Sequence, residues 1–184
     1  MKPTHNESES QSLARVVFAH GKESGPWGSK IQHLAAIAQA LDFTVDSPNY
    51  SAMMNPIDRV THLLSLAPQG TPLVLVGSSM GGYVSAMACE RLQPDALLLM
   101  APALYLDGYP GDPVGCPADT EVVHGWHDDI VPLASSIDFA RARSAGLHIV
   151  DDGHRLADSI DFIGAVFARQ LQRVRQRHPG FGRA

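Results

Sequence analysis

Residues 72–92 carry a strand pattern, a turn pattern and a helix pattern in immediate succession. Pro72 to Val76 is a run of β-branched and aliphatic residues, the mark of a strand buried on both faces. Val84, Ala88 and Leu92 recur four apart, with Met87 and Arg91 filling out the turns, which is helical spacing. Between them lies Gly77-Ser78-Ser79-Met80-Gly81, a match to G-x-S-x-G. A strand that runs straight into a helix must turn within about three residues, which strains the middle residue and leaves room only for glycine on either side. The spacing predicts Ser79 at the tip of that turn, with its hydroxyl at the carboxyl edge of a sheet and helix-start N–H groups beside it. A phosphate cradle would need a P-loop lysine, and Gly77–Tyr83 contains none.

The rest of the chain alternates in the same way. Arg15–Ala19 reads as a buried strand ending in His20-Gly21-Lys22, and Trp27–Leu41 as a helix with one apolar face. Phe43–Val45 is a strand. Pro56–Leu66 is a helix with Asn55 as its cap and Pro56 in its first turn. Asp95–Met100, Thr120–Val123 and Leu147–Val150 are further strands, and Leu133–Ala145 and Leu156–Val174 further helices. Such alternation predicts an α/β domain, a parallel sheet of roughly six strands with helices on both faces. One domain is expected over residues 14–174, with flexible tails at 1–13 and 175–184.

A chain of 184 residues, 45% hydrophobic and 18% charged, fits a single soluble domain. Its net charge of −5 offers no basic footprint for nucleic acid or for an anionic membrane. Met1 to Ser12 lacks an apolar run, so no signal peptide or anchor is expected and the cytoplasm is the default compartment. Cys89 and Cys116 are far apart and match no metal or redox spacing. Neither metal nor cofactor is expected, and the sequence leaves the oligomeric state open.

In a parallel α/β sheet, chemistry sits outside the carboxyl ends of the strands. A serine hydroxyl is a weak nucleophile that needs a base within hydrogen-bond reach and a third group to orient that base. His124-Gly-Trp-His-Asp128-Asp129-Ile-Val-Pro132 follows the fifth strand, and Asp151-Asp-Gly-His154-Arg-Leu156 follows the sixth. Ser79, Asp128 and His154 occur in the chain order of one well-known Ser-acid-His arrangement. Asp129 is expected to cap a turn, and Ser78 to point away from the site and pack or bond locally.

These motifs resemble those of the α/β-hydrolase superfamily. H-G-x-x-D-x-x-V-P at 124–132 looks like its acid-bearing loop, Gly153-His154-x-Leu156 like its histidine loop, and His20-Gly21 like its oxyanion loop. The likeness is nearest to the small, lidless esterases and thioesterases, and it spans residues 14–174. It implies Ser79 as nucleophile, His154 as general base and acid, Asp128 as orienting group, and the N–H groups of Lys22 and Met80 as oxyanion donors. It implies a small-molecule ester or thioester as substrate. Lys22 departs from the pattern, since an apolar residue is common there.

The connection from Pro102 to Asp119 holds four prolines and three glycines in 18 residues, which forbids a helical cap. Leu104, Tyr105, Leu106 and Tyr109 are expected to wall a shallow cleft, with His20 and Gly21 at its floor and His20 also bracing the loop. Two other readings stay open. The chain could be a catalytically idle interaction protein on this fold. It could also be a metal-dependent hydrolase using His124, His127, Asp128 and His154.

Overall fold

The structure, a computed structural model, describes residues 13–180. Six strands form one parallel sheet: β1 (Arg15–Ala19), β2 (Thr44–Asp46), β3 (Leu73–Ser78), β4 (Ala96–Met100), β5 (Thr120–Gly125) and β6 (Gly146–Val150), in the order β2-β1-β3-β4-β5-β6. Five helices connect them: α1 (Ser29–Ala40), α2 (Pro56–Leu66), α3 (Met80–Leu92), α4 (Leu133–Arg143) and α5 (Ile160–Arg177). The chain first steps outward from β1 to β2, then crosses back to place β3 on the other side of β1. Loops leaving β1 and β3 therefore diverge, and a crevice opens between them at the carboxyl edge of the sheet.

Alternate residues on each strand point to opposite faces, and two cores follow from that period. Val16, Phe18, Val74, Val76 and Leu98 pack beneath α1 and α5, against Leu34, Phe167 and Leu171. Val17, Leu75, Leu97, Leu99 and Val122 pack beneath α2, α3 and α4, against Leu63, Val84 and Phe139. Truncating a fully buried leucine such as Leu98 to alanine costs about 2–5 kcal/mol in a core of this kind.

The sequence expectation holds for the six-stranded architecture and for the uncapped connection, since no helix forms between β4 and β5. Asn55 caps α2 as expected, its Oδ1 accepting from the Ile57 N–H at 2.8 Å. Two helix starts differ. Trp27 lies in a turn before α1, where its carbonyl accepts from Gln32 Nε2. Leu156 takes a positive φ of 53°, and the Asp152 carboxylate accepts from the N–H groups of Asp158 and Ser159, which delays α5 to Ile160.

The end of α5 also differs: the helix continues past residue 174 to Arg177. Asp119 accounts for this, because its carboxylate accepts from Arg173 at 2.6 Å and from Arg177 at 2.9 Å. Burial pushes the Asp119 carboxyl up, but the two guanidinium groups outweigh it and hold it below the usual carboxylate range. Residues 1–12 of the expected N-terminal tail and 181–184 of the C-terminal one lie outside the described residues. Among the described residues, no helix is long and apolar enough to cross a membrane.

Candidate active site

One residue separates β3 from α3, and it is Ser79, with φ 54° and ψ −120°. A side chain at Gly77 would meet the Gly81 carbonyl oxygen at 2.2 Å, and one at Gly81 would meet the Ala19 carbonyl oxygen at 1.9 Å. Both glycines of G-x-S-x-G are thus required by backbone approach, as the sequence predicts. The turn is fixed from beneath, where the Ser79 N–H donates to the Met100 carbonyl at 2.9 Å. Met80 opens α3, so its N–H has no acceptor within the helix.

Three side chains from three strand ends meet above this turn. The Ser79 hydroxyl donates to His154 Nε2 at 3.0 Å, and His154 Nδ1–H donates to Asp128 Oδ2 at 2.7 Å. The Asp128 side chain is fully buried, and each of its oxygens is occupied. Oδ1 accepts from the N–H groups of Ile130 and Val131, at 2.9 and 2.8 Å. Asp129, its neighbour, is exposed. Two backbone donors on one oxygen and an imidazole N–H on the other fix the carboxylate's orientation toward His154.

His124 supplies a further support beside Asp128 that sequence reasoning did not find. Its ring is fully buried, with Nδ1 2.7 Å from Ser136 Oγ and Nε2 3.0 Å from the Val131 carbonyl. A carbonyl can only accept, so Nε2 carries the proton and Nδ1 accepts from the Ser136 hydroxyl. That same Nε2–H lies 3.1 Å from Asp128 Oδ2. Burial pushes the imidazole pKa down, so the neutral donor form is favoured. His127 takes no part; it is exposed and pairs with Asp151. Among the described residues, no group of three or more His, Cys, Asp or Glu side chains is arranged to hold a metal ion.

The loop after β1 is braced rather than open. His20 is fully buried: its Nε2 accepts from the Tyr50 N–H at 2.9 Å, so Nδ1–H donates to the Gly21 carbonyl at 2.8 Å. Its bracing role stands, but its expected place in the cleft floor does not, because it offers no surface to a ligand. Gly21 lies beside Ser79: a Cβ added there would meet the Ser79 Cβ at 3.6 Å, ordinary contact distance. Lys22 is exposed.

Leu104 is likewise corrected as a cleft wall: 1% exposed, it belongs to the core beneath α3. Tyr105 is exposed and donates to Asp112 Oδ1, Leu106 is half-buried, and Tyr109 stacks edge-on against Tyr83 with centroids 5.3 Å apart. Arg143 ties this loop to α4 through Asp112 and the Pro113 carbonyl. The Ser78 hydroxyl does not bond locally; it accepts from Lys30 Nζ, 48 residues away, at 3.3 Å.

Residues 15–115 match the sequence profile of UPF0227, an uncharacterised protein family. No curated protein matches the chain. Among solved structures, a protein from Xanthomonas campestris pv. campestris assigned to the hydrolases of the alpha/beta superfamily is 35% identical, with a TM-score of 0.79 over 87% of this chain and 99% of that one. Est1E from Butyrivibrio proteoclasticus is 15% identical, with a TM-score of 0.73 over 90% of each chain. An alpha/beta serine hydrolase without a lid, also from Xanthomonas campestris, is 20% identical, with a TM-score of 0.68 over 91% of this chain and 85% of that one. The last two likenesses concern the fold alone.

Proposed function

Because this chain belongs to the family UPF0227 and to the α/β-hydrolase superfamily, we propose that it is a serine hydrolase cleaving a carboxylic ester or thioester of small to medium acyl chain. The observation that carries this reading is the continuous hydrogen-bonded series Ser79–His154–Asp128, at 3.0 and 2.7 Å, mounted on a turn that strains Ser79.

Ser79 Oγ attacks the acyl carbon while its proton passes to His154 Nε2. Asp128 holds the Nδ1–H tautomer and stabilises the imidazolium that forms. The N–H groups of Met80 and Lys22 receive the developing oxyanion; Lys22 serves through its backbone, its ammonium lying outside. His154 then protonates the leaving alkoxide or thiolate. Water, deprotonated by the same imidazole, releases the acid from the acyl-enzyme.

Acyl size follows from the connection after β4. With no helical cap, a methylene contributes roughly 0.8 kcal/mol only while something covers it. Leu106, Tyr105 and Tyr109 offer a short wall. A panel of p-nitrophenyl esters and acyl thioesters from acetyl to palmitoyl tests this, with Ser79→Ala as the blank. The expected kcat/KM rises over the first few carbons and then levels or falls. A panel in which no acyl compound is turned over faster than by the blank contradicts the hydrolase reading. A steady climb to palmitoyl contradicts only the open cleft.

A further inference from the structure

Arg59 stands on α2 with Pro56 and Leu63, on the stripe that faces the core, and it is 0% exposed. A guanidinium taken out of water ordinarily has a carboxylate beside it, because burying an uncompensated charge is costly. Arg59 has none among the described residues. Its Nε donates to the Met53 carbonyl at 2.7 Å, and its Nη1 to the carbonyls of His20 at 3.0 Å and Gly21 at 3.3 Å. Its Nη2 is buried with no acceptor. The ionisable groups that face it are the phenols of Tyr50 and Tyr109 and the His20 imidazole, and the Tyr50 ring lies 5.5 Å from the guanidinium carbon.

Two of those acceptors belong to the loop beside Ser79. The Gly21–Lys22 peptide is trans, so its C=O and N–H point in opposite directions. Its carbonyl is drawn inward by two donors, Arg59 Nη1 and His20 Nδ1–H. The Lys22 N–H then points away from Arg59 and His20, in a loop where a Cβ added at Gly21 would come within 3.6 Å of Ser79 Cβ. A cation on the carbonyl end of a peptide also withdraws electron density from its N–H, which makes that N–H a stronger donor. The remaining field of the unpaired charge acts through a buried, low-dielectric region and favours negative charge above Ser79.

We propose that Arg59 is a positioning residue of the oxyanion hole: it fixes the His20–Lys22 loop by its carbonyls, turns the Lys22 N–H toward the reacting carbonyl oxygen, and lends its uncompensated charge to the oxyanion. This inference rests on the serine-hydrolase reading. Binding energy that appears only when the oxyanion forms lowers the barrier without tightening the substrate complex. A residue that merely supported the fold would not discriminate in that way.

The test compares wild type with Arg59→Met and Arg59→Gln, two neutral replacements, with thermal melts to confirm folding. The best ester of the panel gives kcat and KM. Butylboronic acid serves as the oxyanion probe: Ser79 Oγ adds to boron, its proton passes to His154, and the adduct carries one negative charge. N-butylacetamide is the neutral control. The expected result is a kcat loss of about 10²-fold, the size of one missing oxyanion donor, with KM nearly unchanged. Boronate affinity falls by a similar factor and amide affinity does not.

An independent readout uses wild type alone. On boronate binding, the amide protons of both Lys22 and Met80 should move downfield. A folded neutral variant with wild-type kcat and boronate affinity overturns the inference, as does a Lys22 amide that stays put while that of Met80 shifts. A wild type that neither hydrolyses esters nor binds boronate would instead bring down the serine-hydrolase reading itself.

Discussion

His124 Nε2 lies 3.1 Å from Asp128 Oδ2, the oxygen that also accepts from His154 Nδ1 at 2.7 Å. One carboxylate oxygen thus takes the His154 donor with the His124 ring packed beside it, while its partner oxygen takes two backbone donors from the loop that follows. The consequence is rotational: with both oxygens held, the Asp128 side chain has one orientation in which to meet His154. Converting it to an amide would present an N–H₂ to at least one donor and disfavour the required tautomer of His154. Asp128→Asn is therefore expected to lower kcat by about 10³-fold or more, and Asp129→Asn, at an exposed position, to leave it within about threefold. Steady-state kinetics on the two variants decide between them.

Acid should weaken the fold through two histidines. Burial pushes the pKa of His20 down, with Arg59 adding to the shift and the Gly21 carbonyl opposing it. Burial likewise lowers His124, against the Val131 carbonyl and Asp128. An unfolded chain takes up protons on these rings near pH 6.5, whereas the folded chain does so only at lower pH. Their contribution is complete above about pH 6.5 and is lost as pH falls through the depressed folded values. Thermal melts from pH 8 to pH 5 should show a falling Tm, and His124→Gln should melt lower at pH 8 but with a flatter pH profile.

Lys30 joins two of the loops that build the site. From α1 its Nζ donates to the Arg155 carbonyl at 2.7 Å, next to His154, and to Ser78 Oγ at 3.3 Å, next to Ser79. Removing the ammonium in Lys30→Met frees the histidine loop from the sheet edge. The expected outcome is a kcat loss of roughly tenfold, since small misplacements of a reacting group are costly, together with about 1 kcal/mol of stability. Ser78→Ala, which removes only the weaker acceptor, should stay near wild type. Kinetics and melts on both variants measure the two effects separately.

The motifs that bring together Ser79, Asp128 and His154 were legible because each is local. A strand, a tight turn and a few fixed residues identify every one of them, and the sheet then gathers the strand ends. Arg59 and Lys30 were not, since their roles arise from partners 38 to 125 residues away, and His124 was not, since its nearby partners come together only when the loop after β5 folds back over its buried ring. Arg59 did leave a trace: Pro56, Arg59 and Leu63 fall three and four apart, on one helical stripe, which marks an arginine facing the core. Leu104 was placed wrongly because a loop rich in proline and glycine gives no period from which to tell an inward residue from an outward one. The true end of α5 was hidden for a similar reason. Arginines at a chain end read as a solvated tail until Asp119 is found beneath them.

Reaction with a fluorophosphonate, followed by peptide mapping and run beside ester hydrolysis, bears most directly on the role of Ser79. Its Oγ is expected to carry the adduct in wild type, with none on Ser78, and Ser79→Ala is expected to lose both the label and ester turnover by about 10⁴-fold. Labelling that persists in Ser79→Ala, or that falls on Ser78, or esterase activity that survives the substitution within about tenfold, would contradict the assignment of Ser79 as the nucleophile.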